Sequence, residues 1–219
     1  MQQEEQSVFG LFFEVRPKPG QQQAYFDHVE RLKPILAGHD GLLWMQRYEA
    51  IDDAGLILSH QYWAGEAALA DWRRNQAHRH AQIQGMHHIF ADYRIRVGPR
   101  IWQHDGQAAI DRVPHDYFVE DQNPDRALIL TLHLAADADI LPLASGLAIT
   151  GQFHALAGDK SKMIMATCYG LPPALGQLTK NERVRHAALF APTRDYGLFD
   201  RDAAPLARLA TSVVQTGKT

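Results

Sequence analysis

Between Leu56 and Val97 the chain reads as a strand, one long helix and a second strand, and this stretch sets what the remainder can fold into. The first strand is Leu56–Trp63, the helix runs over about Glu66–Phe90, and the second strand is Tyr93–Val97. The elements before it decide how the sheet is completed. Val8–Arg16 is almost continuously apolar or aromatic (VFGLFFEV), the pattern of a strand buried on both faces. Pro17-Lys18-Pro19-Gly20 turns the chain with two fixed φ angles and a glycine. The helix over about Gln22–Ala37 places Tyr25, Val29, Leu32 and Leu36 at helical spacing. Pro34 kinks or shortens its last turn, and Gly38 ends it. Gly41–Ala50 and Leu56–Trp63 form a hairpin through the Asp- and Gly-bearing turn Ile51–Gly55.

The resulting order is β-α-β-β-α-β, the α+β ferredoxin-like arrangement. One such domain leaves a sheet face open, and pairing two of them buries it. The second half of the chain supplies a candidate partner. After a stretch over 105–125 that reads as a linker, with a short strand around Tyr117–Val119, come a strand at Arg126–Leu134 and a hairpin of Ala148–Leu156 with Met163–Tyr169. A helix over about Ala174–Phe190, a closing strand at Tyr196–Phe199 and a terminal helix over Ala203–Val214 complete the reading. At an offset of 106 residues, Tyr62-Trp63 falls on Cys168-Tyr169 and Arg79-His80-Ala81 on Arg185-His186-Ala187. Asp92-Tyr93 recurs as Asp195-Tyr196. The agreement in element order implies a degenerate second copy of the domain, with boundaries at 1–104 and 126–219. Fused in this way, the two halves form an intramolecular pseudo-dimer, and a homodimer of the whole chain is compatible with it.

Composition excludes several classes. A formal charge of −3 offers no basic excess for a phosphate backbone, so no nucleic-acid partner is expected. One cysteine, Cys168, rules out an internal disulfide framework and fits a reducing compartment. The opening MQQEEQ lacks the basic and apolar parts of a signal peptide, and no apolar run reaches the length of a membrane span. A cytoplasmic protein without a membrane partner is the expectation.

No G-x-G-x-x-G, P-loop, H-E-x-x-H, C-x-x-C or G-x-S-x-G is present. His78, His80, His87 and His88 offer no i, i+4 pair, so no metal site is expected. On one continuous helix, Leu69, Trp72, Gln76, His80, Ile83 and His87 share a face that mixes an aromatic with polar groups, as a pocket wall does. His80 also suits a hydrogen-bonded structural histidine, because the repeat matches it with His186. Trp72 has no aromatic counterpart in the repeat, where Leu178 stands.

An aromatic-ended strand, then Gly65-Glu66-Ala67-Ala68-Leu69, Trp72-Arg73-x-x-x-x-His78-Arg79 and Asp92-Tyr93-Arg94-Ile95-Arg96-Val97, resembles the antibiotic biosynthesis monooxygenase family over about the first 100 residues. The resemblance implies ferredoxin-like domains paired into a dimeric α/β barrel. It also implies oxidation of phenolic or anthrone-like substrates by molecular oxygen, without metal or flavin, the substrate itself supplying the electrons. Such chemistry needs a dry aromatic cavity, a base and oxyanion donors. The resemblance implies Trp72 and Trp63 as walls with His80 beside them, His78 or His60 as base, and Asn75 or Tyr93 as donors, around a small aromatic molecule. Related barrels that bind or degrade haem use an Asn on the first strand, and Val8–Arg16 has none. Other related barrels bind ligands without catalysis, which is the alternative function.

Overall fold

The computed structural model describes residues 7–105, 127–139, 146–169, 176 and 180–205. The first half contains β1 (Phe9–Pro17), α1 (Gln22–Ala37), β2 (Leu42–Ala50), β3 (Ile57–Trp63), α2 (Glu66–Arg74), α3 (Gln76–Gln84) and β4 (Phe90–His104). A single π-helical turn, Gly85–Ile89, joins α3 to β4. The second half contributes β5 (Ala127–Leu134), β6 (Ala148–Ala155), β7 (Lys162–Tyr169), β8 (Val184–Phe190) and β9 (Arg194–Gly197).

All nine strands belong to one sheet, ordered β1-β3-β2-β6-β7-β5-β8-β4-β9, and β1 also pairs with β4. That additional pairing closes eight strands into a ring, with β9 attached to β4. Within the ring, β2-β3-β1-β4 has the ferredoxin-like order, and β6-β7-β5-β8 repeats it. The two four-stranded sheets join at β2–β6 and β4–β8, with every pairing antiparallel.

Strand alternation assigns the side chains. Phe12, Tyr48, Leu58, Ile129, Phe153, Met163, Met165 and Phe190 fill the barrel interior. The other parity of β1, β3 and β4 faces the helices, where Val15, Tyr25, Ile57, Tyr93, Trp63, Trp72 and Val97 are buried. β1 is therefore apolar on both faces, as its sequence implies. Gly10 on β1 has no alternative, because a Cβ there would stand 2.5 Å from the Phe190 ring. Gly98 lies where β4 passes from β1 and β9 to β8, and its missing side chain admits the Ala191 carbonyl 2.1 Å from the Cβ position.

Two elements differ from the sequence reading. The helix expected over 66–90 is broken at Asn75, whose extended backbone (φ −53°, ψ 129°) ends α2 and caps α3. The helix expected over 174–190 does not extend to its end: Val184–Phe190 is strand β8, and β8 occupies the place in the second sheet that β4 holds in the first. His186 therefore lies on a strand while His80 lies on a helix, and Tyr196, on β9, is no counterpart of Tyr93 on β4. The linker expected over 105–125, apart from Asp105, and the terminal helix beyond 205 lie outside the described residues. Among the described residues no helix is long and apolar enough to cross a membrane.

Candidate active site

A cavity of about 230 Å³ lies between the first sheet and its helices. Strand register fixes its floor as parallel rows. Arg47, Ser59, Phe13, Ile95 and Tyr196 lie side by side on β2, β3, β1, β4 and β9, and all five line the cavity. The next row along the strands brings Gln61, Leu11, Val97 and Arg194 to the same surface. Helix α1 covers them with Tyr25, Val29 and Leu32, α2 with Leu69, Trp72 and Arg73, and α3 with His78 and Gln82.

The break at Asn75 shapes the roof. Ending α2 early leaves the Trp72 carbonyl with the Asn75 N–H, 3.1 Å away, in place of its regular helical donor, and with a second acceptor position open. The His78 ring takes it up, with Nδ1 3.1 Å from that oxygen. The Asn75 side chain in turn accepts from the His78 backbone N–H at 3.2 Å, an N-cap bond. His78 then stacks on the Trp72 indole, ring centroids 4.5 Å apart and planes 17° from parallel. Burial lowers the His78 pKa to about 4, so the ring is neutral at pH 7. Because a carbonyl can only accept, Nδ1 carries the proton and Nε2 keeps the lone pair.

On the opposite roof margin, Met86 and Tyr93 meet Arg201. The Arg201 guanidinium donates to the Tyr93 hydroxyl at 2.5 Å, and the hydroxyl lies 3.6 Å from the Met86 thioether. Tyr93 thus donates to a weak acceptor while receiving from a cation.

Of the residues singled out from sequence, Trp72, His78 and Tyr93 line this cavity, and His60, Trp63, Asn75 and His80 do not. Trp63, fully buried, stands behind Trp72 at 6.4 Å between ring centroids, with its indole N–H donating to Gln61. Asn75 shapes the roof through the backbone. His80 is exposed on α3. His60 faces the barrel interior, stacked on Phe12 at 4.2 Å, with its Nδ1 3.2 Å from the Leu11 carbonyl. Burial lowers its pKa to about 3. It belongs to a separate cluster with His133, whose ring lies 5.8 Å away, and His186, 5.2 Å from His133. Among the described residues, no group of three His, Cys, Asp or Glu side chains is placed to hold a metal ion.

Sequence reasoning did not single out Arg47, Ser59, Gln61, Arg194 or Arg201 for the site. For the strand residues a signal existed: Ser59 and Gln61 share the parity of Ile57 and Trp63, and Arg47 that of Met45, the side that faces the helices.

Residues 9–84 match the family model described as antibiotic biosynthesis monooxygenase. A curated relative, jasmonate monooxygenase of Pyricularia oryzae, is 37% identical over 91 residues, a match spanning 42% of this chain and 42% of that protein. The chain thus spans less than half the length of the curated relative it matches. Among solved structures, an aldoxime dehydratase superposes over 86% of this chain and 83% of its own, with TM-score 0.54 and 11% identity. A Shewanella oneidensis protein matches 43% of this chain and 92% of its own, with TM-score 0.41 and 15% identity. At such identity the aldoxime dehydratase match speaks to the fold alone, which it shares across both halves.

Proposed function

We propose, from the match of residues 9–84 to the antibiotic biosynthesis monooxygenase family model, that the cavity oxidises a small aromatic or polyphenolic substrate with molecular oxygen, using neither metal nor flavin. The observation that carries this reading is the neutral His78 stacked on Trp72 in the wall of an otherwise largely apolar cavity. The indole offers a flat surface for an aromatic ring, and Nε2 of His78 offers a base beside it. With its pKa near 4 this base is weak, but an anion forming against it stabilises the imidazolium and raises its pKa. Tyr93, polarised by Arg201, exchanges its thioether acceptor for a developing oxyanion, a far better one.

The substrate supplies the electrons. A carbanion or phenolate formed by loss of a proton to His78 reduces oxygen directly. At an activated CH2, two hydrogens leave, one oxygen atom enters as a carbonyl, and the other departs as water. The cavity volume of about 230 Å³ is slightly below the roughly 300–1,000 Å³ of typical ligand cavities, which favours a compact substrate. The repeated strand order of the two halves supports their descent from one duplicated unit, the second half closing the barrel behind the first. The single cysteine, which has no partner for an internal disulfide, supports a reducing, cytoplasmic setting.

The test is oxygen uptake by purified, metal-stripped protein offered anthrones, quinols and jasmonate, the last being the compound named for the relative. Uptake that needs no added cofactor and falls in Trp72→Phe and His78→Ala is the expected result. A flat trace with every substrate would overturn the reading and leave a ligand-binding barrel.

A further inference from the structure

The charge of the cavity wall is one-sided. Among the described residues four arginines line it, Arg47, Arg73, Arg194 and Arg201, and not one carboxylate does, in a chain whose acidic residues outnumber its Lys and Arg by 25 to 22. Arg194 is neutralised from outside the wall by Glu66, 2.5 Å away. Arg47, Arg73 and Arg201 form no ion pair among the described residues. Arg201 is occupied by the Tyr93 hydroxyl. Arg47 and Arg194 both have a buried Nε–H with no hydrogen-bond partner, but Arg47, unlike Arg194, has no carboxylate beside it among the described residues. A half-buried cation that carries a buried, orphaned donor is costly unless something anionic completes it.

The surroundings of Arg47 are those of an anion seat. Its neighbour across the strand pairing is Ser59, only 2% exposed. The Ser59 oxygen accepts from Gln61 Nε2 at 3.0 Å, so its own hydroxyl proton is left to donate. The Tyr25 hydroxyl lies beside the guanidinium, close enough for the charge to pull its pKa down against the burial that raises it. Next to Ser59 in the same row comes Phe13, then Ile95, with Leu11 and Val97 in the adjacent row. An anionic head on Arg47 therefore directs an apolar body across the floor toward Trp72 and His78.

We propose that the cavity takes an organic carboxylate, its carboxyl group held by Arg47 with Ser59 and Tyr25 and its apolar body extending over Phe13 and Leu11. This rests on the cavity being the substrate site and names the substrate class within it. Arg47 is then a specificity-determining residue, not part of the oxygen chemistry. β2 and β9 are four strand spacings apart in the sheet, about 19 Å at the usual interval, so a compact ligand seated on Arg47 does not reach the backbone of Arg194.

The experiment is calorimetric titration of the intact protein, without oxygen, with 2-naphthoate and its uncharged counterpart 2-naphthamide. The wild type should bind naphthoate about tenfold or more tightly than naphthamide, the advantage of a charge-assisted, bidentate pair over a neutral one. Arg47→Met should abolish that preference, and Arg47→Lys should keep only part of it, since lysine offers a point charge and no planar fork. Equal binding of the two probes by the wild type would overturn the proposal, and that comparison needs no variant to fold. No binding of naphthoate at millimolar concentration, or a preference that survives Arg47→Met, would also overturn it. Because binding is read without oxygen, a carboxylate preference in a protein that consumes no oxygen sinks only the monooxygenase reading. Oxygen uptake on neutral substrates with no carboxylate preference sinks only this one.

Discussion

His78 joins the roof of the cavity to its chemistry. With its Nδ1–H committed to the Trp72 carbonyl and its pKa near 4, it is uncharged at pH 5 and above. Acting as the base, it should give a kcat/KM that is level in this group's contribution above about pH 5 and falls as pH drops through about 4. His78→Ala should lower kcat on the order of 100-fold, the usual contribution of a positioned base. Steady-state oxygen uptake against pH, in wild type and variant, checks both. Trp72 and His78 were legible in the sequence because they stand six residues apart in one local pattern, although the break at Asn75 puts them on successive helices. Arg47 was not, because its meaning depends on what surrounds it. A cation in an apolar strand reads as solvated until the register shows Ser59 beside it and, among the described residues, no carboxylate in the cavity wall. Tyr25 was visible as helix core, but its place beside Arg47 depends on contact between α1 and β2, which no local pattern encodes.

At the scale of the element, the break at Asn75 decides which residues the cavity sees. On one unbroken helix, His80 and Ile83 follow Leu69 and Trp72 on a common face. The break resets the phase: His78, Ala81 and Gln82 turn to the cavity, while His80 is exposed and Ile83 stands 47% exposed. Asparagine competes for backbone hydrogen bonds and favours the cap over the helix interior, but propensity alone does not say where a long amphipathic segment yields. Asn75→Ala should cost about 1 kcal/mol, the usual worth of an N-cap, visible as a lower urea midpoint. It should also raise KM, because the cap fixes the backbone of His78. Strand β8 carries the complementary lesson. Ala187-Ala188-Leu189-Phe190 is fully buried, with Ala188 and Phe190 in the barrel interior and Ala187 and Leu189 on the outer face of the sheet. Such a short apolar run has no period to separate strand from helix. The chance match of Arg185-His186-Ala187 with a helical segment then tips the reading the wrong way.

For the whole molecule, the β-α-β-β-α-β order of the first half followed from strand alternation and the continuous apolarity of β1, while the pairing of two sheets into a barrel was what the family resemblance implied. The polar content of the barrel did not, because histidines at strand positions look like edge or surface residues until a ring closes round them. Burial lowers His60 to about 3 and His186 to about 4, and holds His133 well below its ordinary value. With His78 these rings are neutral when folded and titrate near 6.5 when unfolded, so the unfolded chain binds more protons between about pH 4 and 6.5. Their contribution is intact above about pH 6.5 and is lost as pH falls, on the order of several kcal/mol in sum by pH 4. Urea midpoints at pH 7.5, 6 and 5 should fall in that order, and constant midpoints would refute the burial of these groups as neutral rings. The pairings β2–β6, β1–β4 and β4–β8 close the ring inside a single polypeptide. A ring assembled from two separate copies is governed by mass action and opens on dilution. This one has no dissociation constant for its own closure, so activity per molecule should hold constant from micromolar to nanomolar protein, and the fold survives wherever a cell makes only a few copies of it.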